Sequence, residues 1–187
     1  MKEYYEIDIA GVKRKLPLCE LTDDLYIGAF VIFGDVELTV TSAEALLKKA
    51  PDFDIMVTAE SKGIPLVHEM ARQSGKNTYV LARKAPKLYM KNVIKVEVKS
   101  ITTERIQTLY IDRTDIERMK DKRVLIVDDV ISTGESLHAL EDLVSQAGGK
   151  VVGKMAILAE GAAKNRSDII YLRELPIFDK NGDPITE

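Results

Sequence analysis

Val124-Leu125-Ile126-Val127-Asp128-Asp129-Val130-Ile131-Ser132-Thr133-Gly134-Glu135-Ser136 is the stretch on which the reading of this chain turns. Four apolar residues in a row, with no polar residue between them, suit a strand buried on both faces, as the central strands of parallel sheets are. Two adjacent acids follow, then a turn of small hydroxyl residues and one glycine, then a helix expected over Gly134 to Gln146. In open α/β sheets, ligands bind outside the carboxyl ends of the strands. A turn at that place, opening a helix, offers a phosphate unpaired amides and the positive end of a dipole. Ser132, Thr133 and Ser136 add hydroxyl donors around Gly134 and Glu135, while Asp128 and Asp129 can accept hydrogen bonds from a diol or help hold a hydrated Mg²⁺. Acids beside a phosphate cradle imply a sugar phosphate rather than phosphate alone.

The flanking sequence repeats the strand and helix rhythm. Strands are expected at Asp54 to Ala59, Thr78 to Ala82, Arg123 to Val127 and Lys150 to Leu158, helices at Ile64 to Ser74 and near Asp115 to Met119, and β-rich runs at Val93 to Val98 and Leu109 to Ile111. Gly148-Gly149 follows the last long helix, where a left-handed residue is often needed. Before Ala50-Pro51 the pattern differs. Tyr4 to Ile9 and the apolar run to Phe33 read as strands with a hairpin turn at Ala10-Gly11, followed by a helix over Ser42 to Lys49 with Thr41 and Glu44 as its capping box. Asp168 to Phe178 reads as a final strand and return. One domain over 1–187 is expected: a cap at 1–50, an α/β core at 51–159, and a tail at 160–187 that joins the cap.

The chain has 187 residues, 45% apolar and 30% charged, enough to bury a real core. Its net charge of −3 argues against a whole-surface nucleic-acid partner, and the longest nearly apolar stretch, Tyr26 to Phe33, is far shorter than the ~20 residues that span a bilayer. A soluble, cytoplasmic protein is expected, with neither nucleic acid nor membrane as partner. One cysteine, Cys19, closes no intrachain disulfide, and with only His68 and His138 beside it no zinc cluster is available. Both histidines fall in expected helices without a pairing partner nearby. Ser74-Gly75-Lys76 lacks the upstream glycine of a phosphate-binding loop of the Walker type, since Met70 stands there.

The string Val124 to Ser136 closely resembles the phosphoribosyl-pyrophosphate (PRPP) motif of type I phosphoribosyltransferases, and three further segments agree in order. Glu60-Ser61-Lys62-Gly63, after a strand and before a helix with Pro65 in its first turn, resembles the pyrophosphate loop of the purine enzymes, with Lys62 where those carry Arg or Ser. Ala82-Arg83-Lys84-Ala85-Pro86-Lys87 resembles a cationic segment of the adenine and xanthine members. Ser100 to Gln107 falls where the family has a loop that closes over PRPP. There Glu104 matches an acid of the adenine enzymes, while Arg105 and Ile106 replace their Tyr-Gly.

The resemblance implies an α/β, type I phosphoribosyltransferase fold: a central, mostly parallel sheet flanked by helices, with a small hood made from both ends of the chain. It implies transfer of 5-phosphoribose from PRPP to a purine base, adenine slightly favoured, with release of pyrophosphate, as in purine salvage. In that reading Asp128 and Asp129 hold the ribose hydroxyls and Mg²⁺, directly or through water. Ser132, Thr133, Gly134, Glu135 and Ser136 hold the 5-phosphate. Glu60, Ser61, Lys62, Gly63, Arg83, Lys84 and Lys87 serve the pyrophosphate, and Thr102, Thr103, Glu104 and Arg105 form the closing loop. A homodimer is expected by analogy. The competing readings are a PRPP-binding regulator without turnover and an enzyme for orotate or another pyrimidine, which the cationic segment disfavours.

Overall fold

The computed structural model describes residues 2–99 and 106–185. At the start, β1 (Tyr4–Ile9) and β2 (Val12–Thr22) form an antiparallel hairpin. Ala10 and Gly11 both take positive φ, the two-residue turn whose twist matches that of the strands. β3 (Leu25–Gly28) adds to β2, and the chain leaves the sheet well short of Phe33. The rest of the apolar run is loop, with Phe30 and Ile32 buried and Val31 and Phe33 exposed.

α1 spans Val36–Leu47, so it begins six residues before the expected Ser42. Its cap is Asp35, whose carboxylate accepts from the Leu38 amide at 3.1 Å, and not Thr41 with Glu44. The β-branched Val36, Thr39, Val40 and Thr41 disguise the first turns as strand. Ser42 is fully buried on the helix's packed face, and Glu44 pairs with Lys48 at 2.7 Å.

The core follows as β4 (Ile55–Ala59), α2 (Ile64–Gln73), β5 (Val80–Ala82), a hairpin of β6 (Ile94–Lys99) and β7 (Ile106–Ile111), α3 (Arg113–Met119), β8 (Arg123–Ile131), α4 (Glu135–Gln146) and β9 (Lys150–Glu160). A short 3-10 helix at Gly161–Asn165 leads to β10 (Ile170–Leu175), then β11 (Ile177–Asp179). The expected single tail strand is therefore two, divided at Pro176. Proline has no amide to donate to a ladder. β10 extends the core sheet, and β11 pairs with β3 in the sheet of β1, β2 and β3.

The core sheet has the order β10-β9-β8-β4-β5, and every pairing in it is parallel. Alternate residues of its central strands feed two apolar layers. Ile55, Val57, Val124 and Ile126 pack with Leu137, Leu140 and Leu143 of α4, while Met56, Leu125 and Val127 pack with Leu38 and Leu46 of α1 and Leu66 and Met70 of α2. That explains the unbroken run Val124 to Val127, each residue fully buried, because both faces of β8 are covered.

From β4 the chain moves outward to β5, then returns to lay β8 on the other side of β4 and continues outward to β9 and β10. The strand order thus reverses between β4 and β8. A crevice opens at the carboxyl ends of the strands at such a switch point. The segments that end there are Ala59 to Gly63 and Asp128 to Ile131.

Candidate functional site

The acid pair lies within a strand and not after it, since β8 runs on through Ile131. Ladder bonds to β9 at Asp128–Ala156 and Val130–Leu158 hold the acids on rigid backbone. Asp129 is 4% exposed, and Asp128 is half-buried. Asp128 Oδ1 accepts from its neighbour's amide, Asp129 N, at 2.9 Å and from Ser61 Oγ at 3.2 Å. Burial and then the adjacent Asp129 charge raise the Asp128 pKa well above the ordinary carboxylate range.

The turn after β4 closes on this pair. Ser61 Oγ also accepts from the Gly63 amide at 3.2 Å, which tightens the turn. Gly63 must be glycine for space. A Cβ there would lie 2.8 Å from Thr58 Oγ1 and 3.1 Å from Asp128 Oδ1. Lys62 donates to the Phe30 carbonyl at 2.6 Å and stands 3.2 Å from Asp129 Oδ2, so one ammonium joins the N-terminal segment, the turn and the acid pair.

Glu60 organises the cations. Its carboxylate accepts from the Lys84 amide at 3.0 Å and faces Arg83 Nη2 at 3.3 Å and Lys87 Nζ at 3.8 Å. The Lys84 amide, followed by the charges of Arg83, Lys87 and Lys84, lowers its pKa against the opposing effect of burial. Both ion pairs are longer than the 2.7–2.9 Å of a tight charged hydrogen bond. An incoming polyanion can therefore compete with Glu60 for Arg83 and Lys87. Lys84 itself contributes backbone to this arrangement and keeps its side chain exposed.

Ser132 to Ser136 form the turn into α4. Gly134 is the N-cap with φ +82°, the left-handed region that glycine enters without strain. Gly134 has no side chain to cap the helix, and Thr133 Oγ1 accepts from the Glu135 amide at 3.5 Å. A hollow of about 50 Å³ lies here, lined by Asp128 and Val130 to Leu137. A larger one of about 510 Å³ opens between β1, β3 and the β10–β11 link, and none of the expected site residues among the described residues lines it.

Of the expected site residues, the structure brings Ser61, Lys62 and Gly63 onto Asp128 and Asp129, and Arg83, Lys84 and Lys87 onto Glu60. Ser132 to Ser136 continue from the acid strand. Thr102, Thr103, Glu104 and Arg105 lie outside the described residues. His68 and His138 are exposed. Glu160 is a further acid of this region that inspection of the sequence passes over. It ends β9, where burial raises its pKa and the Lys62 charge lowers it. Searching after every strand end, β9 included, would have reached it. The Phe30 carbonyl has no side-chain signature to find.

A model of the phosphoribosyl transferase domain matches residues 42–182. Adenine phosphoribosyltransferase of Thermotoga petrophila is 37% identical over 139 residues, 70% of this chain and 78% of that protein. The same enzyme of Cenarchaeum symbiosum is 36% identical over 131 residues, 69% of this chain and 73% of that protein. Among solved structures, adenine phosphoribosyltransferase from Thermoanaerobacter pseudethanolicus superposes with a TM-score of 0.63 at 24% identity, covering 92% of this chain and 95% of that one. At that identity the likeness speaks for the fold. The chain belongs to the phosphoribosyl transferase family, with the α/β type I fold. No helix among the described residues is long and apolar enough to cross a membrane.

Proposed function

We propose that this protein is a purine phosphoribosyltransferase that moves the 5-phosphoribosyl group of PRPP onto a ring nitrogen of a purine, releasing pyrophosphate and giving a nucleoside monophosphate for salvage. Adenine is the base we favour, in keeping with the named activity of the relatives. The observation that carries the proposal is the closure of the Ser61-Lys62-Gly63 turn on Asp128 and Asp129 at the switch point of the sheet.

As the bond from the ribose to pyrophosphate breaks, positive charge builds on the sugar and negative charge on the leaving group. Fixed cations aimed at the leaving group favour that state over the ground state. Lys62, Arg83 and Lys87 are the cations we assign to it, with the Ser61 and Gly63 turn presenting amides. Asp128 and Asp129 take the ribose hydroxyls, and Ser132, Thr133, Gly134, Glu135 and Ser136 take the 5-phosphate. Thr102, Thr103, Glu104 and Arg105 are proposed to close the site against water, which would otherwise intercept so reactive a ribosyl centre. No covalent nucleophile is needed.

The acid pair suits Mg²⁺. Among the described residues the buried Asp129 Oδ2 accepts no hydrogen bond and faces the Lys62 ammonium at 3.2 Å, and two carboxylates with substrate phosphates are a usual magnesium donor set. Asp128 and Asp129 would hold the ion directly or through water, and when bound it neutralises charge on the leaving pyrophosphate. A homodimer belongs to the proposal. Exposed Phe33, Val36 and Val40 supply apolar surface for it, and sedimentation velocity tests it. The proposed location is the cytoplasm, since a multiply charged sugar phosphate does not cross a bilayer unaided.

The deciding experiment is pyrophosphate release from PRPP with Mg²⁺ and each of adenine, hypoxanthine, guanine, xanthine and orotate. Release with a purine, fastest with adenine, is expected. Tight PRPP binding with no release for any base would overturn the enzyme reading in favour of a PRPP-binding regulator.

A further inference from the structure

The turn assigned to the 5-phosphate carries no Lys or Arg between Ser132 and Ser136, and Glu135 adds a negative charge in the first turn of α4. A dianion placed there gains from a cation supplied elsewhere in the chain. Arg166 stands beside this turn. It follows the 3-10 helix beyond β9, and its Nη1 lies against Gly134 so closely that a methyl group at Gly134 would collide with it.

The guanidinium is fixed from behind. Nε and Nη2 donate to the two oxygens of Asp168 at 3.0 and 2.8 Å, a fork that sets the plane of the group. Asp168 Oδ2 accepts also from Lys154 Nζ at 2.6 Å, and Lys154 reaches Glu141 of α4 at 2.7 Å. The chain of charges Arg166, Asp168, Lys154 and Glu141 thus ties the loop before β10, strand β9 and helix α4 together. With Nε and Nη2 committed, Nη1 is the edge turned to the phosphate turn, and among the described residues it donates no hydrogen bond.

We propose that Arg166 is a positioning residue for the 5-phosphate of the sugar: held by Asp168, it packs Gly134 in its left-handed conformation and places a positive charge beside the phosphoryl group. The proposal rests on the functional reading above. Arg166 acts on the sugar-phosphate end of the substrate. The pyrophosphate cations Lys62, Arg83 and Lys87 belong to other segments, so the two ends can be measured apart.

Calorimetry with ribose 5-phosphate and, separately, with pyrophosphate on wild type, Arg166→Gln, Arg166→Lys and Asp168→Asn tests this, together with kcat and KM for PRPP. Arg166→Gln is expected to weaken ribose 5-phosphate and raise KM for PRPP roughly tenfold to a hundredfold, the scale of a lost charged hydrogen bond. Its kcat should stay within about threefold, because the bond-breaking end is untouched. Its pyrophosphate affinity should match wild type, which also shows that the variant is folded. Arg166→Lys should recover part of the loss by restoring the charge, and Asp168→Asn should show a smaller loss of the same kind. If Arg166→Gln binds ribose 5-phosphate as wild type does, or loses pyrophosphate equally, the inference is wrong and the functional reading stands. If wild type neither binds ribose 5-phosphate nor releases pyrophosphate from PRPP, the functional reading fails and this inference with it.

Discussion

Lys62 Nζ lies 3.2 Å from Asp129 Oδ2, an ion pair between the turn after β4 and the acid strand β8. The lysine is 39% exposed at its side chain and the aspartate 6%, so the pair faces the crevice with its cationic side. The same ammonium holds the Phe30 carbonyl at 2.6 Å and thereby reaches the N-terminal segment. One side chain therefore places an acid, a turn and a backbone carbonyl relative to one another.

Replacing Lys62 by Met keeps most of the apolar stem and removes the charge. Asp129 loses its facing cation, and the leaving group loses one of the three proposed for it. A fall in kcat/KM for PRPP of about 10²-fold or more is expected, on the scale of removing one fixed charge-stabilising group. Steady-state kinetics beside pyrophosphate calorimetry checks it. Unchanged kinetics would remove Lys62 from the site.

Gly63 gives a steric test of the same turn. In Gly63→Ala the new methyl would meet Thr58 Oγ1 at 2.8 Å and Asp128 Oδ1 at 3.1 Å, so the turn must move away from the acid. A displacement near 1 Å at a reacting site can cost about 10²-fold in rate. Adding Thr58→Ala removes the nearer clash but leaves Asp128 in place, so the double variant should regain part of the activity and not all. Equal activity in the single variant and wild type would show that the turn has slack the geometry denies.

Much of this architecture was legible in the residues for definite physical reasons. The run Val124 to Val127 announces a strand covered on both faces because no polar residue interrupts it. The turn after it is readable because glycine, hydroxyls and acids together serve little but capping and anion binding. Asp35 escaped because β-branched residues after it mimic a strand, although Gly34-Asp35 carries the turn and the cap. Arg166 escaped for another reason. Its meaning depends on Asp168, Lys154 and Glu141, which meet it only when β9, α4 and the loop before β10 are folded together.

Asp35 does two jobs and should be costly to remove. Its carboxylate caps α1 through the Leu38 amide at 3.1 Å and receives Arg14 from β2 through two hydrogen bonds, at 2.7 and 2.9 Å. Loss of a cap costs about 1 kcal/mol, and a partly buried charged hydrogen bond adds a comparable amount. Asp35→Ala should lose roughly 2 kcal/mol in urea unfolding, with an unchanged m-value if unfolding stays two-state. Asp35→Asn keeps the cap and should lose about half of that.

Glu69 sets an acid limit on the fold. On α2 its carboxylate accepts from Arg72 Nε at 2.9 Å, Arg72 Nη2 at 2.7 Å and Gln73 Nε2 at 2.8 Å. The bonds from Arg72, then Gln73, draw its pKa from the ordinary 4.5 down to about 2. Because the folded value is the lower one, the unfolded chain binds more protons between them, and stability rises with pH through that window. The contribution is full above 4.5 and is lost as pH falls toward 2. Asp54, bonded to Arg123 and likewise drawn down to about 2, acts in the same direction. Asp128 acts in the opposite one: with its folded value raised by burial and by Asp129, it costs stability as pH climbs above its ordinary 3.8. Denaturant midpoints from pH 2 to 7 on wild type, Glu69→Gln and Asp128→Asn separate the two. Glu69→Gln should flatten the acid limb alone, and Asp128→Asn should raise stability at the neutral end relative to the acid end. A Glu69→Gln curve parallel to wild type between pH 2 and 4.5 would mean that the Arg72 and Gln73 bonds do not hold the carboxylate in solution.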